Sequence, residues 1–294
     1  MEDYVYRRRF GDRKDGRLLR SLNPFDRFIP YIMVKKNDAC NQYADSVEIS
    51  EAERWYRQKR REGYKGIGML HLFIAAYLRT VAHCPGINRF IGGQKIYARN
   101  HIEVVMAVKR SMNSAGDETT IKIVFEPTDT VYDVYRKLNA KVDEIKANDG
   151  DNNTEKTAKV LGMIPGLLLK FVVWVLNLME YFGIIPQSLL DASPFHGSMI
   201  ITDLGSLGIG PIYHHIYNFG NLPVFLAFGA KRTVMELDRS ANPVERKYVD
   251  FKVVMDERTV DGMYYAVAFK YLKFYLKNPA ALELPPEEVV QDVP

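Results

Sequence analysis

A mixed α/β fold is predicted, on two observations. Short runs rich in β-branched residues alternate with segments of helical periodicity, and 294 residues that are 47% hydrophobic and 26% charged suffice to bury one substantial core. One large domain carrying an insertion follows.

The elements can be justified in order. Residues 1–24 form a basic extension in which Arg7, Arg8, Arg9, Arg13, Lys14, Arg17 and Arg20 crowd together. Pro24 to Met33 reads as a lead-in to a first strand. Ser50-Glu-Ala-Glu53 has capping-box spacing, in which a serine hydroxyl and a glutamate carboxylate satisfy free amides at a helix start. The charged helix it opens should run to about Arg61, before Gly63, Gly66 and Gly68. Met69 to Val81 predicts a buried helix stopped by Cys84-Pro85-Gly86. Ile96-Tyr97, Ile102 to Val108 and Ile121 to Phe125 are strand-like, and Tyr132 to Ile145 has amphipathic-helix spacing. Ala147 to Thr154 is polar and turn-forming throughout.

The insertion, at about 159–186, is very apolar. A helix from Pro165 to Phe182 would be about 27 Å long, close to a bilayer's thickness. Lys170, Asn177 and Glu180 would fall along one side as a polar stripe, and burying them in hydrocarbon would cost several kcal/mol. Packing against the domain or a neighbouring subunit is the main expectation, ahead of contact with a membrane surface or a role as the wall of an acyl-chain pocket. Ser198 to Thr202, Val224 to Gly229 and Tyr248 to Met255 read as strands, and Met263 to Lys277 as a helix ended by Asn278-Pro279. Residues 280–294 form a proline- and acid-rich tail expected to extend over the surface.

Composition narrows the function classes. Forty Lys+Arg against 36 Asp+Glu give a formal charge of +4, too small for a globally basic nucleic-acid binder, so the basic clusters read mainly as solvated faces. Cys40 and Cys84 form no C-x-x-C pair, which argues against a disulfide framework or a zinc site. The amino terminus lacks the apolar core of a signal peptide, so a reducing, cytoplasmic location is expected. Tyr213-His214-His215-Ile216-Tyr217 invites a metal reading, but adjacent histidines on a strand diverge and no acidic or cysteine partner has suitable spacing. No metal is expected.

Two segments carry chemistry: Asp256-Glu257-Arg258-Thr259-Val260-Asp261-Gly262 and, upstream, Ser198-Met-Ile-Ile-Thr202-Asp203-Leu204-Gly205-Ser206-Leu207-Gly208. In order and spacing they resemble the active-site segments of the chloramphenicol acetyltransferase-like superfamily, which includes the catalytic domain of the E2 component of 2-oxo acid dehydrogenase complexes. The family pattern is Asp-His-Arg-x-x-Asp-Gly, so Glu257 stands where the catalytic histidine would be. The resemblance covers about 25–279. It implies a two-layer α/β sandwich with a mixed sheet, a homotrimer or larger homo-oligomer, and a site in a channel between subunits. It also implies coenzyme A as the acyl-carrying substrate, with a small-molecule acyl donor and acceptor and no nucleic acid.

Residue by residue, the resemblance makes Thr202 the hydroxyl that stabilises the oxyanion, a donor worth a few kcal/mol in a transition state. Glu257 takes the place of the base. Asp261 would pair with an arginine, for which Arg27 is the candidate, and shape the turn, while Gly262 permits a tight exit into the last helix. Arg258, if extended, points away from Glu257. Gly205, Gly208 and Gly210 read as turn glycines and not as a nucleotide fingerprint. The residues before Phe25 are too few for a lipoyl domain, so a free-standing catalytic-type domain is expected.

The missing imidazole matters energetically. A carboxylate of ordinary acidity taking a proton from a thiol works about 6 kcal/mol uphill, against about 3 kcal/mol for imidazole, and burial narrows that gap. His214, His215 and His196 are possible replacement bases, each read first as a packing or surface histidine. The leading expectation is a coenzyme A-dependent acyltransferase. The alternative is an inactive descendant that serves as an oligomeric scaffold or as an acyl-CoA or lipid-binding module.

Overall fold

In a computed structural model, which describes residues 8–109, 118–147 and 162–294, hydrophobic alternation decides the architecture. From the amino terminus, β1 (Gly16–Leu18) precedes α1 (Pro24–Ile32), β2 (Cys40–Glu48), α2 (Ser50–Arg61) and α3 (Met69–His83). Next come β3 (Arg89–Gly92), β4 (Lys95–Arg99), β5 (Ile102–Lys109), β6 (Glu118–Phe125) and α4 (Val131–Ala147). The helices α5 (Gly166–Phe182) and α6 (Gln187–Ala192) then lead to β7 (Met199–Asp203), β8 (Val224–Leu237), β9 (Pro243–Asp256) and α7 (Gly262–Lys277). The predicted loop beyond Ala147, and residues 159–161 of the insertion, lie outside the described residues.

The main sheet has the order β2-β9-β8-β7-β5-β6, and it is mixed because β7 runs parallel to both β5 and β8 while its other pairs are antiparallel. Register assigns its faces. Met199, Val224 and Met255 are laterally paired, as are Ile201, Leu226 and Val253, so these side chains share one face, where they join α3 and α7 in the large core. Phe73 of α3 stacks on Phe228 of β8 at 4.5 Å between ring centroids. The intervening positions Val105, Ile200, Phe225 and Val254 face the other way and are covered by Ile216 and Leu222 from the β7–β8 connection. Helices therefore cover one face of the sheet, and a two-layer sandwich results. A small antiparallel sheet, β1-β4-β3, stands apart, its β3–β4 hairpin closed by Gly93 and Gln94 at φ 53° and 60°.

Two expectations need correction. Pro24 to Met33 is a helix, because Asn23 caps it by accepting from the Phe25 amide at 2.9 Å and Pro24 sits where a missing N–H costs nothing. The capping box at Ser50 does not form: Ile49 is the N-cap, without a side-chain capping bond. Glu53 turns away to meet Lys231 and Lys247 at 2.8 Å and Arg57 at 2.9 Å, clamping α2 to β8 and β9. Where they are described, the basic extension and the C-terminal tail both make contacts with the body. β1 pairs with β4, Asp292 pairs with Arg89 at 2.6 Å, and the Pro294 carbonyl accepts from the Arg20 and Ser21 amides.

The Glu53 clamp gives a pH-dependent contribution to stability. Partial burial opposes ionisation, but hydrogen bonds and charge from Lys231 and Lys247 outweigh it and bring the carboxyl from 4.5 down to about 2. A folded value below the unfolded one stabilises the fold above the unfolded value and loses that contribution as pH falls through the folded one. Denaturant unfolding of wild type and Glu53→Gln should therefore differ by a constant amount above about pH 5, with the gap closing toward pH 2. A gap independent of pH across that window would refute the assignment.

Candidate functional site

The turn after β9 is built around a buried ion pair. Asp256 and Arg258 face each other through two bonds of 2.8 Å (Nε to Oδ1 and Nη2 to Oδ2), with 2% and 4% of their side chains exposed. The Arg258 amide adds a bond of 3.1 Å to Asp256 Oδ1, and Arg258 Nη1 donates to the carbonyls of Met33 and Val34, each at 3.1 Å. Thr259 Oγ1 donates to the Asp256 carbonyl at 2.8 Å and lies 3.1 Å from the Tyr265 hydroxyl. One guanidinium thus locks the end of β9 to the end of α1.

This locked turn displays Glu257. Its amide donates to the Ala39 carbonyl at 2.9 Å, and its half-buried side chain lines a cleft of about 330 Å³ shared with Phe25 and Ile29 from α1, with Met33 that caps it, and with Asp261 and Tyr264. Asp261 is the N-cap of α7, accepting from the Tyr264 amide at 2.8 Å. The expected Arg27–Asp261 pair is therefore corrected: the arginine that neutralises a carboxylate here is Arg258, its partner is Asp256, and Arg27 lines a different cleft with Leu18, Phe28 and Tyr31. Gly262 opens α7 with open space where a side chain would begin, so no close approach demands glycine there.

Thr202 occupies the far end of β7. Its Oγ1 lies 3.2 Å from His214 Nε2, and the His214 ring stacks on Phe225 at 4.2 Å. Burial, with His215 adding to it, holds His214 below the ordinary histidine range, which favours the neutral ring. With its proton on Nε2 the ring would donate to Thr202 and leave the hydroxyl hydrogen free to point outward. His215 is exposed. Beyond Thr202 the chain turns sharply, with Asp203 Oδ1 accepting from the Ser206 amide and Gly208 in the left-handed region at φ 75°.

Register fixes how far apart Thr202 and Glu257 are in one chain. Met199, Val224 and Met255 are level across β7, β8 and β9, and β7 and β9 each pair with β8 in opposite senses. Thr202 lies three residues to one side of that level and Glu257 two residues to the other, a separation of about 16 Å along the strands and about 10 Å across them. One chain does not bring the two side chains together.

His196 has a different place. It is buried, with Nδ1 2.8 Å from Ser193 Oγ and Nε2 2.9 Å from Glu180 Oε2, while Arg13 Nη2 meets the other Glu180 oxygen at 2.6 Å. Burial works against ionisation of Glu180, but the His196 hydrogen bond and the Arg13 charge prevail and hold it below its usual range. Both ring nitrogens are engaged in a cluster that fastens α5. Lys36, not singled out in the sequence, is 4% exposed beside the Asp256–Arg258 pair and donates to the Gly220 carbonyl at 2.8 Å. Burial lowers its amine to about 8, although Asp256 pulls the other way. Lys35-Lys36-Asn37 carries no signal of this, since its pattern is that of a solvated turn. Among the described residues no group of three or more His, Cys, Asp or Glu side chains could hold a metal ion.

No family model and no curated protein matches this sequence. In three dimensions the chain is similar to a probable dihydrolipoamide acetyltransferase from Listeria monocytogenes, with a TM-score of 0.56 and 14% identity over 88% of this chain and 94% of that one. It is similar to a chloramphenicol acetyltransferase (0.56, 13%, over 89% and 100%) and to the cubic core of the pyruvate dehydrogenase multienzyme complex (0.51, 15%, over 94% and 96%). At these identities the likeness establishes the fold: a mixed-sheet α/β domain of the chloramphenicol acetyltransferase and E2 catalytic-core type.

The turn's ion pair yields an asymmetric prediction. Arg258→Met should destabilise the protein by about 3–5 kcal/mol in urea unfolding, because Asp256 is left as an uncompensated buried charge. Combining it with Asp256→Leu should restore most of the loss, since an apolar pair needs no solvation. Equal damage from the single and double variants would show that the pair acts through shape alone.

Proposed function

We propose that the protein is an acyltransferase that moves an acyl group from coenzyme A to a small acceptor, at a site assembled between copies of the chain. The observation that carries this reading is the placement of Thr202 and Glu257 at opposite ends of the sheet in a fold shared with two acetyltransferases. Two such half-sites become one when the β9 turn of one copy meets the β7 end of the next, as in a trimer. In the assembled site Glu257 takes the proton from the acceptor while the acceptor's heteroatom forms a bond to the thioester carbonyl carbon. The resulting oxyanion accepts a hydrogen bond from the Thr202 hydroxyl, with neutral His214 holding that hydroxyl in place. Collapse breaks the carbon–sulfur bond, and the departing thiolate recovers the proton from Glu257.

The half-enclosed position of Glu257, in a cleft shared with Phe25, Ile29 and Met33, supports its use as a base, because the cleft gives an acceptor room to approach the carboxylate. The competing reading, a non-catalytic scaffold or acyl-CoA or lipid-binding module, keeps the turn for its ion pair alone. It is supported by the replacement of imidazole at this position.

Complementation separates the two readings. Thr202→Ala should lower coenzyme A release about 10²- to 10³-fold, and Glu257→Gln should lower it as well. Coexpressing the two variants in one oligomer should return about a quarter of wild-type activity, since each intact site draws Thr202 from one parent and Glu257 from the other. Release by wild type that neither variant reduces would overturn the assignment. Failure of wild type to release coenzyme A from any acyl-CoA would favour the scaffold.

A further inference from the structure

The helix α5, for which packing against the domain or a neighbouring subunit is the main expectation, turns most of its apolar surface away from the body of its own chain. Tyr181, Trp174, Leu167, Leu178, Phe171 and Phe182 fall, at 100° per residue, within an arc of about 100°. Their exposures run from 44% for Leu178 to 88% for Leu167. A stripe this wide is what a helix turns toward an apolar partner. Lys170, exposed, lies along one margin of it.

The orientation of the stripe is fixed from behind. Glu180, on the opposite side of the helix, is 9% exposed and is held by Arg13 and His196. Arg13 Nη1 also caps the helix end by donating to the Glu180 carbonyl at 2.7 Å. The Tyr181 carbonyl presses on Gly93 in the β3–β4 turn, and the Tyr181 hydroxyl reaches Gln94 at 3.1 Å. The helix is held so that its stripe faces outward.

Charge identifies the partner. The segment that supplies Arg13 also exposes Arg8, Arg9 and Lys14 around Phe10, which is fully exposed. The carboxylates of this segment are engaged within the protein: Asp12 with the Arg9 and Leu18 amides and Arg20, and Asp15 with Arg13 and Asn221. The exposed cations belong to the segment that meets the carboxyl end of the helix through Arg13, and a helix with an exposed apolar, aromatic stripe and exposed cations at its end and margin matches a bilayer surface carrying anionic headgroups. Among the described residues no helix is long and apolar enough to cross a membrane, so the contact is one of lying on the surface.

We propose that α5, with the basic segment around Phe10, is a docking surface for anionic lipid bilayers. This rests on geometry separate from Thr202 and Glu257 and stands or falls independently of the acyltransferase reading.

The test is vesicle flotation of the full chain, with neutral phosphatidylcholine vesicles set against vesicles containing about a third phosphatidylglycerol. Flotation with the anionic vesicles, weakened by salt, is expected. Trp174 provides a second readout: the chain has two tryptophans, and Trp55 is buried and bonded to Glu283, so a blue shift on lipid addition reports the stripe. The double variant Leu167→Ser/Phe171→Ser should lower the bound fraction by about tenfold or more. Arg8→Glu/Lys14→Glu should remove the preference for anionic vesicles. Both pairs are exposed, and circular dichroism would verify that the variants fold. Binding that survives loss of the stripe would overturn the proposal. So would absence of binding to the anionic vesicles, and stripe-dependent self-association in sedimentation velocity would then assign the surface to a second copy.

Discussion

Arg258 carries a full charge into a place where almost none of it meets water, and one carboxylate two residues away makes that tolerable. Because the guanidinium is planar and forked, it satisfies Asp256 with two nitrogens and still has a third for the carbonyls at the end of α1. A lysine could neutralise Asp256 but could not also hold α1. Everything that gives Glu257 a defined surrounding follows from this fork: the turn is pinned, α1 is brought alongside it, and Phe25, Ile29 and Met33 become a wall. The charge pair is thus a positioning device whose stabilising value is secondary to the geometry it imposes.

The sheet imposes a second constraint that no side chain can relax. Register is set by which face is buried, and a slip of one residue would turn Met199, Ile201, Val224 and Leu226 out of the helix-covered core. With register held, the distance between the end of β7 and the turn after β9 is held too. Any chemistry that needs both Thr202 and Glu257 must therefore recruit a second chain, and association becomes a precondition for that chemistry. Quaternary structure enters here through strand arithmetic, before any interface is considered.

Much of this was legible in the sequence where one local cause acts alone. The strands β5 to β9 and the helices α3, α4, α5 and α7 follow from periodicity and from breakers such as Cys84-Pro85-Gly86 and Asn278-Pro279. The α1 helix was missed because Asn23 and Pro24 make a helix start that is easily read as a turn, and Pro30 within the helix argues against it. The capping box at Ser50 failed for a tertiary reason: two lysines, nearly 180 residues or more downstream, compete for Glu53 and win. The expected Arg27–Asp261 pair fails because Asp261 is exposed and spent on capping α7, while the buried carboxylate of the turn is Asp256. That carboxylate is met by Arg258, its neighbour two residues on. Thr202 beside His214 could have been suspected only from the turn between them, and Lys36 from nothing local.

The polar stripe read from Lys170, Asn177 and Glu180 illustrates how one pattern divides once the fold is known. Glu180 is buried with Arg13 and His196, Lys170 stays in water, and Asn177 bonds back to the Val173 carbonyl at 2.8 Å. A charge in an apolar helix signals either a hidden partner or a solvent-facing edge, and α5 contains one of each. Glu180 fixes which way the helix faces, and Lys170 marks where its apolar surface stops. An outward apolar stripe would ordinarily be expected to collapse onto the nearest core, since burying even one of its large side chains is worth about 2 kcal/mol. Here that collapse would require the helix to roll, which would pull the Glu180 carboxylate from the guanidinium and imidazole that neutralise it. The buried cluster opposes that roll, so the stripe can stay outward without relying on strain in the helix.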